Sequence, residues 1–201
     1  MNRRTQPRIE QLRHTLAQEA ARIMAEHGVV DFLFAKRKAA ERLGVSDAAA
    51  LPKNAEIEAA LVAHQRLFRA EQHDEQLREL RRSALRLMQL LVEFQPRLVG
   101  AVLSGSATIY SDITLHLFAE QAERVALTLL DRGIDHQHAE KKLRYEAARQ
   151  LSYPSFKFVA GRHAVEIVVL PLDSIRQAPL SPVDGKPMQR AAITELELLV
   201  Q

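Results

Sequence analysis

Apolar residues in the first 95 positions recur at intervals of three and four. Between Pro7 and His27, the residues Ile9, Leu12, Leu16, Ala20, Ile23 and Met24 mark one face of a helix that Gly28 stops. A second helix is expected over Val30–Leu43, carrying Phe32, Leu33, Ala40 and Leu43 and ending at Gly44. "VSDAAALPKN" reads as a connector, with Asn54 as N-cap of a helix running to Phe68. The polar run "EQHDEQ" is expected to break the chain before another helix, Asp74–Phe94. There Leu77, Leu80, Ala84, Met88 and Leu91 form one stripe and Pro96 ends it.

After Pro96 the period shortens. "RLVGAVLSG" and "ITLHLF" are β-rich and too brief for helices. Residues 119–133 form an amphipathic helix closed by Gly133, and "IDHQHAEKKLRYEA" suggests an extended strand pair. "SFKFVAGRHAVEIVVL" predicts a β-hairpin turning around Ala160-Gly161-Arg162, with alternating Phe156 and Phe158 facing alternating Val165, Ile167 and Val169. A proline-bearing loop then leads to a last helix over Ala191–Val200. The expected class is α+β: a small mixed sheet covered by helices over 96–201, preceded by an all-helical region over 1–95.

Composition narrows the setting. Hydrophobic residues make up 47% and charged residues 26% of 201 positions, the balance of a globular chain able to bury a core. There is no cysteine, which excludes disulfides and thiolate metal sites. No secretory signal and no run of about 18 apolar residues is found, so no membrane span is expected and a cytoplasmic bacterial-type protein is the reading. The net charge of +3 permits an anionic partner without requiring one.

"LSGSATIYSDITL", followed by the hairpin strand "HAVEIVVL", resembles the nucleotidyltransferase superfamily, the fold of minimal nucleotidyltransferases and DNA polymerase β-like enzymes. The resemblance covers about 97–171. It implies that Gly105 and Ser106 are the Gly-Ser that cradles a nucleoside triphosphate. Asp112 matches the first carboxylate of Asp-x-Asp, and Glu166 the third carboxylate on a later strand. Mg2+ held by Asp112 and Glu166 is the cofactor this implies, since paired divalent ions clamp the oxygens of an in-line displacement and prefer hard oxygen ligands. Thr114 stands where the second carboxylate belongs, on the strand face of Asp112, and brings no charge. A transferase with impaired or absent activity, still binding nucleotide, is therefore the expectation. Apart from the resemblance, Gly105-Ser106 is an ordinary turn and Glu166 a charge in an apolar strand that needs a partner.

Other groups carry less. His116 with His136 or His138 suggests a His/carboxylate metal site, against the plainer reading of ordinary histidines. Arg78, Arg81, Arg82 and Arg86 form a solvated face paired with Glu75 and Glu79, or else the border of a phosphate cleft. Lys186 and Arg190 sit in a loop that could close as a lid. The rival function is an interaction module for nucleic acid or protein, using the helical half.

Overall fold

The structure is a computed structural model that describes residues 5–46, 50–146 and 149–201. Contacts divide these into two units. One takes the described residues up to Asp74 with Thr108–Tyr110 and Pro182–Asp184; the other is Glu75–Ala107, Ser111–Ser181 and Gly185–Gln201.

In the first unit, α1 (Thr5–His27) and α2 (Phe32–Arg42) follow the apolar spacing of the sequence. Leu16, Ala20, Ile23 and Met24 pack with Ala35, Ala39, Ile57 and Leu61, the alanines allowing close helix approach. Asp31 caps α2, its carboxylate accepting from the Phe34 N–H at 2.6 Å. Two helices expected over 54–94 are instead one, α3 (Asn54–Leu90), 37 residues long. "EQHDEQ" is polar but holds no Gly or Pro, and polarity alone does not break a helix. Asn54 is not its capping side chain: its amide donates to the Pro182 carbonyl, while Glu56 accepts from the Lys53 N–H.

The second unit is built on five strands: β1 (Arg97–Val99), β2 (Ile113–Phe118), β3 (Gln137–Arg144), β4 (Gln150–Ala160) and β5 (His163–Leu170). Their order is β1-β2-β5-β4-β3, with β2 and β5 parallel and the other neighbours antiparallel. The α+β class and the mixed sheet are thus as expected. "RLVGAVLSG" is only partly a strand, because Gly100, at φ +73°, ends β1 and a single turn, α4 (Ala101–Ser104), follows. Of "IDHQHAEKKLRYEA", Gln137–Arg144 forms one strand, β3, rather than a pair, and its partner is β4; no Gly, Pro, Asn, Asp or Ser falls within β3 to turn the chain, and Ala147 lies outside the described residues. The expected hairpin is present, with Ala160 opposite His163 across Gly161-Arg162.

The two sheet faces differ. Ile113, Leu115, Leu117, Val165, Ile167 and Val169 turn toward one core with Leu80 and Met88 of α3 and Leu91 just beyond it. Val125 and Leu129 of α5 (Ala122–Asp131) and Leu196 of α6 (Ile193–Val200) complete it. The opposite face carries a smaller cluster of Phe118, Leu143, Val168 and Leu170. Thr114, His116 and Glu166 lie on this second face, whereas the turn at Gly105 stands beside Leu77 and Arg81 of α3. Among the described residues no helix is long and apolar enough to cross a membrane.

Candidate functional site

Strand registry defines the site. Val99, Thr114, Glu166, Lys157 and Gln137 are cross-strand partners running in one row through all five strands. Because paired residues share a face, Thr114 lies beside Glu166, and Asp112 stands two residues before Thr114 at the head of β2. Asp112 is exposed, just ahead of the strand. Gly105 and Ser106 follow α4, which begins directly after β1, so the turn leaves the sheet from the Val99 end of the same row. Gly105 has φ +85°, and the buried Ser106 hydroxyl lies 2.9 Å from that of Ser104.

Glu166 is only 4% exposed, and it is not held by a metal-like shell. Lys141 donates to Oε2 at 2.5 Å, and the Lys157 ammonium lies 3.6 Å from Oε1. Lys157 is the direct cross-strand partner, whereas Lys141 reaches diagonally from the row of Tyr153. Both carboxylate oxygens are thus engaged by ammonium groups, and Thr114 adds no charge. Among the described residues no group of three or more His, Asp or Glu could hold a metal ion. This donor set does not fit a two-metal centre, which needs several carboxylates free of competing cations.

One row further along the same face lie His116, Val168 and Ser155. His116 is 1% exposed; burial, then the Arg190 and Lys141 cations, pushes its imidazole down to about 3. Its Nδ1 and the Ser155 Oγ are buried without a hydrogen-bond partner among the described residues. The expected histidine site does not assemble. His136 and His138 meet each other at a tilt and each contacts Phe156 edge to face, and Phe156 faces the opposite side of the sheet from His116. Even-numbered positions of β3 face one core and His116 the other, so no shared ion can join them.

Of the arginines, Arg81 is the one that supports the site. Its Nε and Nη2 donate to the Val102 and Leu103 carbonyls at 3.1 Å, fixing the end of α4 where Gly105-Ser106 begins. Burial lowers its pKa from the ordinary value. Arg78 pairs with Glu75 as expected, but Glu79 pairs with Arg162 and His163 rather than Arg82, because α3 packs beside the hairpin turn. The loop bearing Lys186 is anchored at the other end of β3: Leu180 bridges both Arg144 and Pro187. Gln137 and Arg144 are separated by seven residues, roughly 23 Å along a strand, so Lys186 is not brought to the row. Arg190 is committed to the Ser174 and Gln177 carbonyls and to the Phe118 ring.

A separate cleft of about 360 Å³ lies past the end of β2, lined by Glu93, Phe94, Phe118, Glu120 and Arg124 among others. Two carboxylates against one guanidinium, itself bound to Glu93 at 3.1 Å, leave it unsuited to phosphates. No protein-family model matches the chain, and no curated protein matches it.

Proposed function

We propose that the chain is a nucleotidyltransferase-like protein that binds a nucleoside triphosphate on the second face of its sheet and is impaired as a transferase. The observation supporting this reading is the row itself. On the parallel pair β2 and β5, Glu166 falls beside Thr114, with Asp112 two residues ahead, where the superfamily pattern puts its third carboxylate. Gly105 and Ser106, in the turn that follows α4, are the phosphate cradle in this reading. Impairment follows from Thr114 and from the lysines at Glu166, which leave Asp112 as the one carboxylate of the motif not engaged by them.

Thermal melting with ATP, CTP, GTP and UTP tests the binding, and pyrophosphate release tests the chemistry. At least one nucleotide is expected to raise the melting temperature, and none to yield pyrophosphate above the protein-free control. If none of the four shifts the transition, the binding reading is overturned; pyrophosphate release that Asp112→Asn abolishes overturns the impairment.

One observation favours the second reading, an interaction module for nucleic acid or protein. On α2 the side chains of Leu33 and Phe34 are exposed beside the exposed Arg37 and Lys38, a mixed apolar and basic surface. Labelled single-stranded RNA whose anisotropy rises with the wild type and not with Arg37→Glu, Lys38→Glu would support it.

A further inference from the structure

The disagreement between the donor set and a metal centre carries an inference of its own. Glu166 sits in a strand that is otherwise apolar from Val165 to Leu170, and its carboxylate is desolvated. One ammonium would neutralise it. Two are present, on different strands, and their side chains are 43% and 50% exposed. Each ammonium has three N–H donors, so a single carboxylate cannot absorb them all, and the outer donors face solvent. The triad Glu166, Lys141 and Lys157 therefore presents one net positive charge with its cations fixed from beneath. A positioned cation binds phosphate oxygen more tightly than a mobile one, because less side-chain entropy is lost on binding. The adjoining row on this face is polar but closed to solvent. His116 Nδ1 and Ser155 Oγ, fully buried in the adjoining row, have no partner among the described residues, whereas buried polar atoms are ordinarily satisfied.

We propose that Lys141 and Lys157 supply, as fixed cations, the charge that divalent ions supply in a two-metal site, so that this site takes nucleotide phosphates without Mg2+. This rests on the nucleotide-binding reading above. Glu166 is then a positioning residue that orders the two ammonium groups rather than a metal ligand. Divalent ion competes with the site: Mg2+ complexed to the triphosphate removes negative charge that the lysines would otherwise meet.

Isothermal titration with ATP, CTP, GTP, UTP and inorganic triphosphate, each in excess EDTA and in excess Mg2+, tests it. Binding is expected in EDTA and is weaker in Mg2+. Lys157→Gln and Lys141→Gln each weaken the EDTA binding about tenfold, the loss of one charge-assisted contact. Lys157→Gln guards against misfolding, since its longer ion pair lies at the more exposed position. Glu166→Gln frees the two ammonium groups it orders and weakens the EDTA binding several-fold, and added Mg2+ does not restore it, whereas loss of a metal ligand would weaken only Mg2+-dependent binding. Nucleotide binding that requires Mg2+, or that survives both lysine substitutions unchanged, overturns the inference while leaving nucleotide binding intact. No binding under either condition overturns the nucleotide reading itself, and the inference with it.

Discussion

His116 makes the stability of the sheet depend on pH in a way that can be worked out from its surroundings. In the folded chain the imidazole titrates at about 3, because burial and then Arg190 and Lys141 disfavour its charged form. In the unfolded chain it titrates near its ordinary value of about 6.5. Above that value neither state holds the proton, and His116 contributes its full share of stability. As pH falls, the unfolded chain takes up a proton that the folded chain refuses, so stability is lost progressively from about 6.5 down to the folded value. Between the two values the whole effect amounts to about 5 kcal/mol, at 1.36 kcal/mol per unit. Most ordinary carboxylates stay ionised between about pH 7 and pH 5, and there the loss is about 2 kcal/mol. Urea unfolding of the wild type and His116→Gln at those two pH values measures it. The wild type should lose about 2 kcal/mol more than the variant, the other titrating groups cancelling in the difference. Equal losses in both proteins, or an imidazole resonance of His116 that titrates near neutrality in the folded state, would refute the reasoning.

Two further outcomes follow from packing. Arg81→Met removes donors from two consecutive carbonyls and leaves Val102 and Leu103 uncapped; it should destabilise the protein by about 2 kcal/mol and speed amide exchange selectively over 101–107. Gly28 has φ +67°, and a Cβ there would lie 2.9 Å from Tyr110 Cγ. Gly28→Ala should therefore cost about 2 kcal/mol by chemical denaturation, and Tyr110→Ala should relieve only the steric part of that cost.

The hydrophobic period is enough to find α1, α2 and the β4–β5 hairpin, because each is bounded by a glycine and packs through one regular face. It is not enough at α3, where a polar stretch looks like a linker only if helix propensity is ignored. For the site, the hairpin is the informative element. Counting outward from Gly161-Arg162 pairs Lys157 with Glu166, so that ion pair is legible in the hairpin's own residue order. Lys141 is not: its strand joins β4 through a connection without a two-residue turn signal, and it reaches Glu166 diagonally rather than in register. The burial of His116 is equally hidden, since alternation assigns it to a half-open face. In the folded chain it is covered, with Arg190 from a loop and Lys141 from a distant strand close enough to act on its charge.

Stability alone does not account for the composition of the row. A buried ion pair is often no better than an apolar replacement of the same volume, because desolvation offsets the Coulomb attraction. A strand reading Val165, Ile167, Val168, Val169 and Leu170 would be served by another branched aliphatic at 166. Given Glu166, a single lysine would neutralise it. What remains unexplained by folding is the second lysine, which leaves the face cationic and its ammonium groups accessible. Thr114 belongs to the same account. A carboxylate at 114 would sit beside Glu166 and balance the two lysines, closing the row to anions. Asp112 cannot do so as effectively, since it is exposed ahead of the strand and screened by water. Thr114, uncharged beside Glu166, thus leaves the row positively charged, which is the property that the proposed metal-free phosphate binding requires.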